Sequence, residues 1–152
     1  MVWRRVRQKG FNAELWQGHL GTVDWARERI YSLALGHDGC VFESLDLKDF
    51  TLEQKLVPDG PRQDVSTILH PQTRELWAIE GGRGEVFALN PKTEQLRRLG
   101  GGPDTGRYYG ARTYWNPVTQ RVGVFGGYGL FAVTNERSEF DATGSSMLDQ
   151  GG

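Results

Sequence analysis

The sequence predicts an all-β fold that is built from a repeated, four-stranded antiparallel unit. Glycine is abundant, with 21 glycines among 152 residues, and 11% of the residues are aromatic, a composition typical of β folds with many tight turns. Residues 30–35 and 122–125 show an alternation with the two-residue period of strands, and no segment carries a sustained helical stripe. One strand pattern also recurs at a fixed spacing along the chain.

The recurring pattern is a strand, a glycine turn, a strand, a turn and a weak strand. Tyr31, Trp77 and Gly123 hold the same place in its three copies and are spaced by 46 residues. One more strand precedes each copy, for example at residues 65–69 and 111–115. Each unit therefore contains four strands, a to d, and its length falls within the period of about 40–50 residues expected of β-propeller blades.

Turns that contain proline separate the first two strands of the second and third units. Their sequences are His-Pro-Gln-Thr at residues 70–73 and Asn-Pro-Val-Thr at residues 116–119. Proline fixes its own φ and donates no backbone hydrogen bond, so it suits a hairpin corner and not the centre of a sheet. We therefore expect both segments to form a–b turns.

Glycine pairs and arginines recur at matching places in the second and third units. The pairs are Gly81-Gly82 and Gly126-Gly127 after strand b, and the arginines are Arg62 and Arg107 ahead of strand a. With Asn-Pro-Lys-Thr at residues 90–93 after strand c, these features make the chain resemble the kelch-repeat family. In the first unit, Gly36-His37 stands where the family has its double glycine.

The resemblance implies a β-propeller of four-stranded antiparallel blades in an incomplete ring of about three. It implies one partial propeller over residues 1–152, with units at 1–6 (strand d only), 18–56, 64–99 and 110–148. The glycine pairs would let the backbone turn sharply and pack closely near the axis. Trp3 would supply the aromatic residue usual in strand d, and Trp77 would lie in strand b.

Three units do not close a ring of four to eight blades, and two explanations remain open. The chain is a piece of a longer protein, or two copies complete a six-blade ring as a homodimer. In the homodimer, the strand at residues 2–6 of each copy would pair with the partner's third blade. Light scattering would then detect twice the mass of the chain.

In an up-and-down blade the b–c and d–a loops emerge on one side of the sheet, and we call this side the loop face. Its residues are rich in arginine and aromatic side chains, as in protein interaction surfaces. The predicted binding residues are Arg62, Arg83, Arg107, Tyr108, Tyr109, Tyr128 and Phe131. The alternative is structural: the arginines pair with blade carbonyls or acids, and the aromatic rings pack between blades.

Charge, hydropathy and cysteine content limit the partners, the localisation and the covalent cross-links that the sequence predicts. The net charge of -1 favours neither nucleic acid nor membrane as a partner. The sequence shows no signal peptide and no apolar run of membrane-spanning length, so the default localisation is cytoplasmic. The single cysteine, Cys40, excludes a disulfide framework and reads as a small core residue.

No catalytic motif or metal-ligand spacing is present, and no cofactor is predicted. His19, His37 and His70 belong to different loops, and we interpret each as a turn or surface histidine. The sequence thus favours a non-catalytic kelch-type module that binds a protein or glycan through the loop face. The alternative is a fragment of a galactose-oxidase-like or other sugar-processing propeller enzyme whose active-site residues lie elsewhere. A WD-repeat-like propeller, suggested by Gly18-His19, is disfavoured by the double glycines.

Overall fold

A computed structural model of the chain describes residues 15–17, 21–63, 65–81, 85–101, 111–125, 137–140 and 146–148. The regular elements in these ranges are β-strands, which pair antiparallel in three sheets. This confirms the all-β fold class. The described residues include no helix that is long and apolar enough to cross a membrane.

The first sheet contains five strands, and its first two, which are short, both lie along the same edge of the third. Its strands are β1 (Leu15–Gln17), β2 (Thr22–Asp24), β3 (Arg29–Gly36), β4 (Gly39–Asp46) and β5 (Leu52–Val57). β1 and β2 both pair with β3, β1 near residue 36 and β2 near residue 29. The first sheet therefore begins at Leu15, whereas the first complete unit was predicted to begin at residue 18.

The second and third sheets each contain four strands, paired in the order in which they occur along the chain. The second contains β6 (Val65–Leu69), β7 (Leu76–Glu80), β8 (Glu85–Leu89) and β9 (Leu96–Gly101). The third contains β10 (Arg112–Asn116), β11 (Arg121–Phe125), β12 (Arg137–Phe140) and β13 (Ser146–Leu148). The a–b turns expected at residues 70–73 and 116–119 connect β6 to β7 and β10 to β11.

The outer edge of β12 is paired in the structure. β13 lies along it, with Phe140 opposite Ser146 and Ser138 opposite Leu148. This is the edge that the strand at residues 2–6 of a second copy was expected to occupy. That strand itself lies outside the described residues.

The second sheet is buried on both faces because each face packs against a neighbouring sheet. Side chains alternate across β7: Leu76 and Ala78 join a core with the first sheet, whereas Trp77 and Ile79 join a core with the third. Each of these four residues is at most 1% exposed. A strand covered on both faces has no polar side to alternate with, which explains the continuous apolar run Leu-Trp-Ala-Ile.

The first strands of neighbouring sheets lie side by side. The Thr113 hydroxyl in β10 donates to the Thr67 carbonyl in β6 over 2.8 Å, and the Leu69 amide in β6 donates to the Thr22 hydroxyl in β2 over 3.2 Å. The partners are 46 and 47 residues apart, close to one repeat period. Equivalent strands of successive units are therefore hydrogen-bonded through their side chains.

Gly123 stands where the other two units carry Tyr31 and Trp77, and the structure explains the difference. Tyr114 pairs directly with Gly123, and its ring fills the space that a Cβ on Gly123 would occupy. The Tyr114 hydroxyl reaches Glu139, the residue opposite Gly123 on β12, at 3.4 Å. The missing side chain thus lets the tyrosine cross the face of the sheet, as aromatic residues do over strand glycines.

Candidate functional site

Of the predicted loop-face residues, the structure describes Arg62. Its side chain is exposed, and its backbone N–H donates to Oε2 of the buried Glu80 over 3.3 Å. This contact fastens the d–a loop to the end of β7. The other predicted binding residues, which lie outside the described ranges, are Arg83, Arg107, Tyr108, Tyr109, Tyr128 and Phe131.

Of the residues predicted to be structural, the structure describes Gly81 and Trp77. Gly81 is buried in the turn that follows β7, and Trp77 is fully buried between the second and third sheets. Trp3, Gly82, Gly126 and Gly127 lie outside the described residues. The structure thus describes Arg62, Gly81 and Trp77 among these residues, and the loop face remains a sequence-based prediction.

The opposite side of the sheets, which we call the turn face, carries the a–b and c–d turns. Five of these turns share one geometry, at residues 24–28, 46–50, 70–74, 90–94 and 116–120. The fifth residue of each has positive φ, between 53° and 61°. None of these fifth residues is a glycine, so each turn holds an L-residue in the left-handed region.

The first residue of each turn accepts hydrogen bonds that hold this conformation. In the turn at 46–50, the Asp46 carboxylate accepts from the Lys48 and Asp49 amides, and the Asp46 carbonyl accepts from the Phe50 amide at 2.9 Å. Asn90 and Asn116 each accept from the second and third amides after them in the same way. The cap satisfies backbone donors that the turn would otherwise leave unpaired.

His70 takes the capping position in the second a–b turn. Its Nδ1 accepts from the Gln72 and Thr73 amides, at 3.2 Å each, so Nδ1 is the unprotonated nitrogen. The side chain is 3% exposed, with its ring 4.8 Å from that of Trp77 and 4.9 Å from that of Trp115. The interpretation of His70 as a turn or surface histidine holds as a turn residue, and its ring is buried against the two tryptophans.

Burial also favours the neutral form of the His70 imidazole. Desolvation lowers the pKa of the imidazole below its ordinary value, and the nearby Glu75 carboxylate opposes this shift only partly. A proton on Nδ1 would also face the two backbone N–H groups that it now accepts from. The folded turn therefore favours the neutral imidazole over the protonated one.

Ion pairs and hydrogen bonds connect the a–b turns of successive sheets. The Asp24 carboxylate, whose side chain is fully buried, accepts from Arg27 within its own turn and from Arg74 of the second sheet's turn at 2.5 Å. Gln72 Nε2 donates to Gln120 Oε1 of the third sheet's turn at 3.3 Å. The three a–b turns thus form a cross-linked row.

A cleft of about 380 Å³ lies between the first sheet and the c–d turn of the second. Arg29 on its wall contacts Ser44 at 2.8 Å and Glu53 at 3.1 Å, and Lys55 pairs with Glu94 across the seam. The rings on its floor, Tyr31 and Phe42, are each 3% exposed and stack on each other. Because these charged groups pair within the protein and the rings are covered, the cleft is a seam between sheets more than a ligand pocket.

Cys40 offers no nucleophile for catalysis. The thiol is buried, and desolvation raises its pKa to about 12, so it stays protonated at neutral pH. This confirms its interpretation as a core residue. Among the described residues, no three His, Cys, Asp or Glu side chains are grouped so as to hold a metal ion.

Comparison with known proteins assigns no family. No protein-family model matches the chain, and no curated protein matches it either. The class of the protein is therefore the one that its fold defines, an all-β chain of three packed antiparallel sheets.

Proposed function

We propose that the chain is a β-propeller module of kelch type, in which the three sheets are blades. The observation that supports this most is the contact between first strands, β2 beside β6 and β6 beside β10, about one repeat period apart. Each neighbouring pair of sheets also encloses its own apolar core. Four-stranded sheets packed face to face with their first strands adjacent are the construction principle of propeller blades.

The module binds a protein or glycan partner and has no catalytic role. Two arguments support binding through the loop face. Loops on a rigid β scaffold are the usual carriers of recognition, and the second sheet, buried on both faces, provides such a scaffold. The predicted binding residues of the b–c and d–a loops are three arginines and four aromatic residues, and arginine and aromatic side chains are enriched among the residues that contribute most to binding energy in interfaces.

A binding screen tests this proposal. The full chain is applied to a printed glycan array and to a random-peptide display library, and the best binder of either class is titrated. The double variant Arg107→Ala, Tyr128→Ala should weaken that binding by about tenfold or more, because truncating interface arginine and tyrosine costs about 1–2 kcal/mol or more. The melting temperature should fall by no more than a few degrees.

The matched control is Lys92→Ala, which removes an exposed side chain on the turn face and should leave this binding unchanged. Equal affinities of the loop-face double variant and the wild type for every binder would show that the loop face is not the binding site.

A further inference from the structure

The row of a–b turns, which comprises residues 24–28, 70–74 and 116–120 and which we call the turn row, exposes large apolar side chains. Trp25 is 78% exposed and Val118 is 90% exposed. Pro71 and Pro117 are also exposed, at the same position of their turns as Trp25. Single exposed apolar side chains are ordinary, but these lie on three turns that contact one another, and adjoining exposed apolar side chains mark a contact surface.

The turn row is held rigidly. Each turn is closed by its own capping residue, and the Arg74–Asp24 and Gln72–Gln120 contacts tie the three turns together. A partner that docks on the turn row therefore has few backbone states to order, which lowers the free-energy cost of association.

Within the turn row, Arg27 and Arg74 balance the charges of Asp24 and Glu28, and Lys48, which pairs with Glu28, adds one further positive charge beside the first turn. The single carboxylate of Asp24 is shared by Arg27 and Arg74, whose side chains are 28% and 40% exposed. Glu28, the other acid in the turn row, pairs with Lys48 at 2.7 Å. Guanidinium groups that share one carboxylate retain N–H donors for a second anion.

We propose that the turn row is a docking surface for a protein partner that presents an acidic segment containing an aromatic or aliphatic side chain. The apolar side chain of the partner covers Trp25, and its carboxylate accepts from the remaining N–H donors of Arg27 and Arg74, which share the Asp24 carboxylate. Tryptophan and arginine together are the residues most enriched at the centre of protein interfaces. This surface lies on the side of the sheets opposite the loop face, so it is independent of the function proposed above.

Peptide display tests the assignment. A random 12-residue library is selected on the immobilised full chain in low salt, and selected peptides are titrated against soluble variants. We expect a class of peptides enriched in Asp and Glu around one aromatic or aliphatic residue. Their affinity should fall about tenfold or more in Trp25→Ala and severalfold in Arg74→Gln, and should weaken as salt is added.

The matched control is Phe125→Ala, since Phe125 is 51% exposed at the end of β11 far from the turn, and its removal should leave these affinities unchanged. The loop-face double variant should bind the acidic peptides as the wild type does, which separates this result from the preceding screen. Selection of no acidic, apolar class, or equal binding of that class by Trp25→Ala, would overturn the assignment.

Discussion

Trp77→Ala should lower the free energy of unfolding by about 3–5 kcal/mol, the usual cost of deleting a large aromatic side chain from a core. Trp77 is fully buried between the second and third sheets, where its ring packs against that of His70 at 4.8 Å. The cavity left by alanine would border on both sheets, so their packing cannot easily collapse to fill it. Urea unfolding followed by far-ultraviolet circular dichroism measures the change without relying on tryptophan fluorescence.

Two variants sharpen this prediction. In Trp77→Phe the loss of unfolding free energy should be smaller, about 1–2 kcal/mol. The indole Nε1 of Trp77 has no hydrogen-bond acceptor among the described residues, and phenylalanine removes that buried donor. Trp25→Ala deletes an indole that is 78% exposed and should change stability by no more than about 0.5 kcal/mol. Equal losses for Trp77→Ala and Trp25→Ala would contradict the burial of Trp77 between sheets.

His70→Ala should cost about 2–4 kcal/mol, since it removes both a turn cap and a buried ring. The cap is specific: Nδ1 accepts the Gln72 and Thr73 amides, which alanine leaves unpaired. His70→Asn should recover part of the loss, because asparagine caps the equivalent turn at Asn116. Denaturant midpoints of the two variants measure the difference, and equal destabilisation by both would show that the cap contributes nothing.

The same histidine should make stability depend on pH. Burial lowers the pKa of His70 in the folded protein below its ordinary value of about 6.5, so the unfolded chain binds the proton more readily. The stabilisation is therefore complete above pH 6.5 or so and is lost progressively as the pH falls below that value. Between pH 7.5 and 5.5, His70→Asn should lose less stability than the wild type, whereas His37→Asn, which changes an exposed histidine, should match the wild type.

The sequence pattern predicts strands well where alternation and repetition act together. The strand expected at residues 65–69 coincides with β6, and the proline turns lie between the strands that they were expected to separate. The spacing of Tyr31, Trp77 and Gly123 also marks equivalent positions in three sheets. These features are local, or repeat at a fixed period, so one sequence suffices to predict them.

Other features depend on contacts between units, which the sequence does not display. His70 resembles an ordinary turn residue until Trp77 and Trp115 are seen to cover it. The capping role of His70 has a signal in the sequence, since Asp24, His70 and Asn116 are spaced by 46 residues and each begins a turn. Histidine is an uncommon capping residue, so this spacing alone does not reveal its role. The Arg74–Asp24 pair requires the packing of two sheets, which periodicity alone does not give.

Side-by-side packing of the first strands, on which the propeller proposal depends, can be tested by an engineered disulfide between sheets. Ser66 Oγ on β6 lies 3.4 Å from Thr113 Oγ1 on β10, so cysteines at both positions bring two sulfur atoms close to the bonding distance of about 2.05 Å. Native Cys40 does not compete, because its buried thiol stays protonated.

The measurement is the yield of intramolecular disulfide in Ser66→Cys, Thr113→Cys after mild oxidation, read by mass spectrometry and a non-reducing gel. The pair Ser66→Cys, Thr119→Cys, with the second cysteine in the a–b turn of the third sheet, is the control. Side-by-side first strands predict near-complete crosslinking of the first pair and little of the second. Free thiols at positions 66 and 113 in the folded chain, or equal crosslinking of both pairs, would contradict the arrangement.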